Sequence, residues 1–186
     1  MKNAVMHSAL IFILLSTGCT AVLPLKTEVS GSYTLLGVKS YTLEMSCEKA
    51  NVDPSINKTF LKGYCQMLEG STKVAMQKVK PELTYLETKS DIKVNITLEE
   101  LQGGNAAARL WIGFGAGRSV STAYVSVLRG NELLSEGRIT ETTTLTNIMT
   151  GTYSNEDALM QDVPLLSKKI ADFINDPVKY KRDNQI

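Results

Sequence analysis

The stretch that decides the fold is DIKVNITLEEL, residues 91–101. Between positions 92 and 98 it places isoleucine, valine, isoleucine and leucine at the even positions and lysine, asparagine and threonine at the odd ones. Successive side chains of a strand point to opposite faces of its sheet, so this period of two predicts a strand with one buried and one wet face. Gly103-Gly104-Asn105 ends the strand.

Three further segments have strand character. One lies near Tyr33–Met45 and places Tyr41, Leu43 and Met45 on a common face. The other two, Val120–Arg129 and Leu133–Thr144, are rich in β-branched residues. Gly130-Asn131 between them is a hairpin turn signal, so these two strands are expected to pair antiparallel.

Two segments have helical periodicity. The first opens at Asp53-Pro54-Ser55 and repeats apolar residues at helical spacing, with a break expected near Gly70 and a second piece reaching Pro81. The second spans about Pro164–Ile174, with Asp162 as its N-cap and Pro164 in its first turn.

The order strand, helix, strand, hairpin, helix predicts an α+β fold. Its expected form is a small, mainly antiparallel sheet with helices packed on one face. The chain of 186 residues is long enough for one domain, which we assign to residues 33–178, followed by a polar tail at 179–186. Because 20 basic side chains stand against 19 acidic ones, net charge gives no case for nucleic acid as a partner.

The N-terminus has the pattern of an export signal. Residues 1–18 combine Lys2, a short apolar run at 9–15 and small residues before Cys19, and this end resembles the lipobox of a bacterial lipoprotein. The resemblance implies that Cys19 carries acyl chains such as palmitate and that residues 19–32 form a tether. Thr20, where an aspartate would favour inner-membrane retention, implies the periplasmic face of the outer membrane. The alternative is a buried N-terminal helix.

Removal of the signal would leave two unmodified cysteines, Cys47 and Cys65. An even pair in an exported protein suggests a disulfide, since exported proteins meet an oxidising environment. Two buried free thiols are the alternative.

The most distinctive motif is glycine-rich, and we treat it as a candidate interaction loop. A phosphate cradle is a poor interpretation, because such loops lead into a helix whereas a strand follows here. A tight turn or bulge fits better, with docking as an elaboration of it. Its candidate residues are Trp111, Gly113, Phe114, Gly115, Gly117 and Arg118.

The same motif carries a family resemblance. Residues 111–118, the strand segment 124–128 and residues 133–136 resemble a bacterial domain-of-unknown-function family, number 4410, over roughly residues 36–140. Members of that family are small exported proteins, many of them lipoproteins. Because the family has no established activity, the resemblance bears on the fold and leaves the function open.

Catalytic patterns are few. Removal of the signal would take away His7, the only histidine, which excludes Ser-His and Cys-His catalysis and weakens any zinc site. Glu99-Glu100 and Asp91 could supply paired carboxylates, but neighbouring strand residues are expected to point to opposite faces. Arg109, Arg118 and Arg138 could form a patch for an anionic partner or be scattered surface residues. We therefore expect no catalytic, metal or cofactor site.

The leading hypothesis is a non-enzymatic envelope lipoprotein, anchored to the membrane by lipid. It would bind or help to assemble another envelope component, either a protein or peptidoglycan, and not nucleic acid. One alternative is a periplasmic hydrolase that uses carboxylates. The other is a lipid- or glycan-binding module, which an apolar cavity between helix and sheet would favour.

Overall fold

The strand predicted from residues 91–101 is the centre of the sheet in a computed structural model of the chain, which describes residues 29–31, 33–104, 118–143 and 154–184. Within those ranges an open sheet of seven strands carries three packed helices, so the predicted α+β class is confirmed. The strands are β1 Val29–Ser30, β2 Ser40–Ser46, β3 Asn51–Val52, β4 Thr84–Tyr85, β5 Ile92–Gln102, β6 Ser119–Arg129 and β7 Glu132–Thr143. The helices are α1 Lys58–Val79, α2 Asn155–Asn175 and α3 Pro177–Asn184.

The strand order is β1-β7-β6-β5-β2-β4, with β3 paired to the far end of β5. The half from β1 to β5 is antiparallel, whereas β2 lies parallel to both β5 and β4. The sheet is therefore mixed. The parallel pair follows from α1, because only a long crossover can return the chain in the same direction.

The helices lie on one face of the sheet, as predicted. The even-numbered residues 92–98 of β5 are at most 1% exposed, and the odd-numbered residues 119–127 of β6 are all buried. They pack with buried residues of α1 and α2, including Leu68, Leu166 and Phe173, in one hydrophobic core. We call the opposite side of the sheet the open face.

A β-bulge at Glu99 changes the expected alternation. Leu98 is opposite Ala123 and Glu100 is opposite Thr122, so the register skips Glu99. Leu98 points into the core and Glu99 to the open face, where it contacts Arg138. Glu100 is also on the open face, since it shares that face with its partner Thr122. The prediction that Glu99 and Glu100 point to opposite faces is therefore wrong, because a bulge places two successive residues against one.

Helix α1 is continuous through the glycine at which a break was expected. Its N-cap is Asn57, whose side chain accepts a hydrogen bond from the Phe60 N–H at 2.8 Å. Burial of Tyr64, Leu68 and Met76 along one stripe stabilises the helix on both sides of Gly70. Packing of an amphipathic face outweighs the loss of about 1 kcal/mol that an interior glycine costs.

Helix α2 begins earlier than predicted. Its N-cap is Ser154, which forms a capping box with Asp157, so Pro164 lies in the helix interior. The assignment of Asp162 as the N-cap is wrong, because that side chain is fully buried and hydrogen-bonded to β6. Burial of Ala158, Leu159 and other residues of the first turns offsets the strain of an interior proline.

Both ends of the predicted domain extend further. Val29 and Ser30, assigned to the tether, pair with Gly137 and Glu136 of β7. Residues 179–184 of the expected polar tail belong to α3, in which the buried Tyr180 packs edge-on against Phe173.

Cys47 and Cys65 form a disulfide with a Cα–Cα distance of 6.6 Å, which links the end of β2 to α1.

Candidate functional site

The open face is a polar surface formed by four adjacent strands. Its side chains are mostly half-buried, because each lies among its neighbours across the strands and no described helix packs over them. The polar residues on it are Ser40, Thr42, Glu44, Lys93, Asn95, Thr97, Glu99, Glu100, Thr122, Tyr124, Ser126, Glu136, Arg138 and Thr140.

These polar groups are held by contacts between strands. Arg138 donates from Nε to Oε2 of Glu99 at 2.7 Å and from Nη2 to Oε1 at 3.2 Å. The Tyr124 hydroxyl donates to Oε2 of Glu136, and Ser30 donates to the other oxygen of that carboxylate at 3.2 Å. The pairs Glu99–Arg138 and Tyr124–Glu136 lie side by side on β5, β6 and β7, since Tyr124 is opposite Arg138, and we call these four residues the open-face cluster.

Tyr124 is the neutral donor of this cluster. Burial, followed by the hydrogen bond to Glu136, raises its pKa to about 12. The phenol therefore stays protonated at neutral pH and can act as a donor but not as a base. Because the two carboxylates accept hydrogen bonds and Arg138 and Tyr124 donate them, the cluster fixes a pattern of charge rather than a proton-transfer pair.

The open face carries more negative than positive charge. Its strands present four carboxylates, from Glu44, Glu99, Glu100 and Glu136, against the two cations of Lys93 and Arg138. Charges of one sign on a surface raise the local concentration of the opposite sign. The open face consequently favours a basic or hydrogen-bond-donating partner over an anionic one.

A buried polar cluster lies on the opposite side of the sheet. Asp162 of α2 accepts hydrogen bonds from the hydroxyls of Ser119 at 3.1 Å and Ser121 at 2.9 Å, and all three residues are fully buried. Buried polar groups must be hydrogen-bonded to be tolerated, so these contacts fix α2 on the start of β6. The described ranges contain no histidine.

Helices α1 and α2 meet along a groove of about 610 Å³ on the outer side of the helical layer. We call it the helix groove. Its walls are mainly apolar or small, from Met67, Gly70, Val74 and Pro164 among others, and Lys78 and Lys168 also line it. A cavity between helix and sheet was expected for a lipid- or glycan-binding module, whereas this groove lies between two helices.

Most of the candidate interaction loop lies outside the described residues, as does Cys19. Of that loop only Arg118 is described, and it is exposed directly before β6. The proposed arginine patch does not form from the described members, because Arg138 is opposite Tyr124, six residues along β6 from Arg118. That spacing is about 20 Å in a strand. Arg109 lies outside the described residues.

Asp91, the third candidate carboxylate, has a structural contact at the other end of β5. It accepts hydrogen bonds from the backbone N–H groups of Lys39 at 2.8 Å and Ser40 at 3.0 Å, which hold its pKa below the usual value.

In the described ranges no group of three or more His, Cys, Asp or Glu side chains could hold a metal ion. The helices of those ranges include none with the length and apolar character of a membrane span.

Sequence reasoning missed two features, the open-face cluster and the helix groove. Tyr124 and Ser126 alternate with buried residues in β6, so their face could have been read from the sequence. Their contact with Glu136 and Arg138 depends on the pairing of β6 with β7. The helix groove depends on how α1 and α2 pack, and the sequence does not reveal contacts between two helices so far apart in the chain.

Comparison with protein families places the chain beside uncharacterised domains. Residues 71–158 match the family model described as a domain of unknown function, DUF4410, so the resemblance predicted from the sequence is confirmed. The match runs from the middle of α1 to the first turn of α2. No curated protein matches the chain in sequence.

Several solved structures are similar to the chain at low sequence identity. A point variant of the PelC dodecamer from Paraburkholderia phytofirmans is 9% identical with a TM-score of 0.49, covering 81% of this chain and 96% of that one. A Xanthomonas campestris protein of the domain-of-unknown-function family 330 is 13% identical with a TM-score of 0.49, covering 84% and 91%. A protein from Caulobacter crescentus CB15 described as a candidate lipoprotein is 11% identical with a TM-score of 0.36, covering 75% and 88%.

Proposed function

We propose that this chain is a lipid-anchored, non-enzymatic protein of the cell envelope that binds another envelope protein on the open face of its sheet. The observation that carries the proposal is the open face itself, four strands wide and lined with polar groups held in fixed positions by contacts between strands. Such a surface needs little ordering when a partner binds, and preorganisation reduces the cost of association.

Charge and hydrogen bonding define the partner. The excess of carboxylates on the open face is complementary to a basic protein surface, which steers encounter and disfavours acidic partners. Glu100 makes none of the contacts described for the cluster and is on the same face as Glu99, so it is a natural acceptor for a partner's lysine or arginine. Peptidoglycan, with its own carboxylates, fits this face less well.

The location rests on the sequence. The lipobox-like segment before Cys19 supports an anchor, and Thr20 supports the periplasmic face of the outer membrane. A disulfide between Cys47 and Cys65 agrees with an oxidising compartment such as the periplasm.

A carboxylate hydrolase is the second candidate, because the β-bulge places Glu99 and Glu100 on one face. Glycoside hydrolysis needs one carboxyl to donate a proton while the other stays ionised. Glu99 accepts hydrogen bonds from Nε and Nη2 of Arg138, so Glu100 would be the carboxyl group left to act on a substrate. Loss of peptidoglycan- or glycan-cleaving activity in a Glu100→Gln variant would support this function against the binding role.

The binding role is tested by site-specific photocrosslinking in cells. A photoreactive side chain at Thr97 or Ser126 on the open face should yield one discrete adduct, whereas the same group at the exposed Gln66 or Gln77 of α1 should not. Charge reversal at Glu100→Lys should abolish the adduct, and Gln66→Lys serves as the matched control. Equal adducts from both sides of the molecule, or an adduct that survives Glu100→Lys, would overturn the proposal.

A further inference from the structure

The helix groove lacks the side chain that would fill it. Gly70 lies in the groove, and a Cβ built on it would meet no atom within 4 Å apart from its chain neighbours and the backbone of its own helix. Alanine there would favour the helix by about 1 kcal/mol over glycine, because it lowers the entropy of the unfolded chain. The groove thus has empty space beside Gly70, and a side chain at that position would fill this space without a steric clash.

A buried hydroxyl lines the same groove. Ser167 is 1% exposed, and its Oγ has no hydrogen-bond partner in the part of the chain that the structure describes. A buried donor left without a partner costs about 1–3 kcal/mol. The oxygen is closed off from the groove in this structure, so a small movement of α1 against α2 would let an acceptor oxygen on a molecule in the groove satisfy it.

Apolar side chains around the groove are exposed. Met67 and Val74, which line it, are 41% and 55% exposed. Contiguous exposed apolar surface marks interaction sites for membranes, proteins or ligands. The volume of about 610 Å³ falls within the range of about 300–1,000 Å³ typical of small-molecule sites.

The charge beside the groove identifies the polar part of the ligand. Lys78 and Lys168 line the groove, and α1 as a whole carries four lysines and one glutamate. Lys168 also pairs with Asp172 at 2.7 Å, and the side chain of Lys168 is 70% exposed. Together an apolar cleft, a buried donor and adjacent ammonium groups suit an amphiphile that has an acyl chain, an ester carbonyl and an anionic head.

We propose that the helix groove binds an anionic phospholipid. One acyl chain lies along Gly70 and Val74, an ester carbonyl accepts the Ser167 hydroxyl, and the phosphate lies near Lys78 and Lys168. The site goes beyond the proposed function, since it occupies the opposite side of the molecule from the open face. It would also orient the domain with its helices towards the membrane and its open face away from it.

The length of the tether is compatible with this orientation. If Cys19 is anchored, Val29 at the start of β1 is ten positions further along the chain, and an extended chain of that length spans at most about 36 Å. A domain held so close to a bilayer is always within reach of phospholipid.

The test is lipid binding by the purified full-length protein in detergent, followed by native mass spectrometry. Phosphatidylglycerol should bind at least tenfold more tightly than phosphatidylcholine with the same acyl chains. Soluble glycerol phosphate, which offers the headgroup alone, should bind at least tenfold more weakly than phosphatidylglycerol. Equal binding of the two lipids, or equal binding of glycerol phosphate, would overturn the proposal.

Variants localise the site. Gly70→Leu should fill the groove and weaken phosphatidylglycerol binding at least tenfold. Gly63→Leu is the matched control, since Gly63 is in the same helix with open space around it and does not line the groove. Lys78→Gln combined with Lys168→Gln should remove the preference for the anionic lipid. Unchanged binding in Gly70→Leu, or the same loss in Gly63→Leu, would refute the groove as the site.

Lipid binding in the helix groove and partner binding on the open face can be refuted independently of each other. Gly70→Leu should leave the photocrosslink from Thr97 intact, because the groove and the open face are on opposite sides of the sheet. A thermal unfolding midpoint no lower than that of the wild type would verify that the Gly70→Leu protein is folded.

Discussion

Arg138 and Glu99, 39 residues apart in sequence, meet side by side on the open face through two hydrogen bonds of 2.7 and 3.2 Å. The contact reaches across β6, from β7 to β5, and the bulge at Glu99 makes it possible. A planar guanidinium matched to a carboxylate is the most specific ion-pair geometry in proteins. The pair therefore fixes the position of both charges on the proposed binding surface.

We expect Arg138→Ala to change partner binding far more than it changes stability, because Glu99 loses its fixed position while the open face gains net negative charge. The two side chains are 48% and 31% exposed, so solvent screens the pair and its loss should cost less than about 1 kcal/mol. Chemical denaturation measures the stability change, and yield of the Thr97 photocrosslink measures binding. A loss of several kcal/mol without any change in crosslinking would show that the pair is structural only.

Asp162→Ala should be strongly destabilising, by about 2–3 kcal/mol, because it leaves the buried hydroxyls of Ser119 and Ser121 without their acceptor. Urea denaturation of the purified protein gives the value. Asp172→Ala is the matched control on the same helix, where the lost partner is the exposed Lys168 and the cost should stay below about 1 kcal/mol. Similar losses in both variants would contradict the assigned role of the buried cluster.

Asp91 should make stability depend on pH in the acid range. Two backbone N–H donors lower its pKa in the folded state below that of the unfolded chain, so its stabilising contribution is complete above the unfolded pKa. It is lost as the pH falls through the lower pKa of the folded protein. Unfolding free energies measured between pH 6 and pH 2 should therefore fall less steeply in Asp91→Asn than in the wild type. Asp183→Asn in α3 is the control, and an unchanged slope in Asp91→Asn would count against this contact.

Reduction of the disulfide should lower the free energy of unfolding by about 3 kcal/mol, as chain-entropy estimates give for a loop of similar length. Denaturation with and without a reductant measures the difference, with the double variant Cys47→Ser and Cys65→Ser as a second route to it. Thiol labelling of the unreduced, unfolded protein should leave both residues unmodified. Full labelling would show that the bond does not form in the cell.

Cys19→Ala should abolish lipidation. Mass spectrometry of the wild type should show loss of residues 1–18 and the added mass of acyl chains, and the variant should show neither acyl mass nor stable membrane association. Anchoring by two or more chains is strong because each buried methylene contributes about 0.8 kcal/mol. A wild-type chain that keeps Met1 would refute the lipid anchor and, with it, the proposed location.

Local patterns predicted those elements whose cause is local. The alternation at residues 92–98 and the turn at Gly130 gave β5 and the β6–β7 hairpin, because period and turn geometry are encoded in neighbouring residues. The predicted start of helix α2 was wrong because it relied on the local pattern around Pro164 alone. Pro164 reads locally as a first-turn proline, whereas the helix begins at a Ser154–Asp157 capping box, which was also legible in the sequence.

Contacts between distant segments escaped prediction. The bulge at Glu99 exists because β6 pairs Ala123 with Leu98 and Thr122 with Glu100, and nothing in the sequence of β5 alone requires it. The same holds for the open-face cluster and the helix groove, which arise only when strands and helices are assembled. Of the candidate site residues, Cys19 and the glycine-rich loop fall outside the described residues and stay predictions.

Lys169 has a consequence for self-association. Its ammonium donates to the Thr140 carbonyl of β7 at 2.9 Å and pairs with Glu141 at 2.9 Å. In the described ranges the outer neighbour of β7 is β1, which covers only Glu136 and Gly137. An uncovered border strand is a template on which further chains can stack into fibrils, and a lysine placed there discourages it. The Lys169 ammonium thus occupies a backbone acceptor of β7 that a further chain would need for pairing.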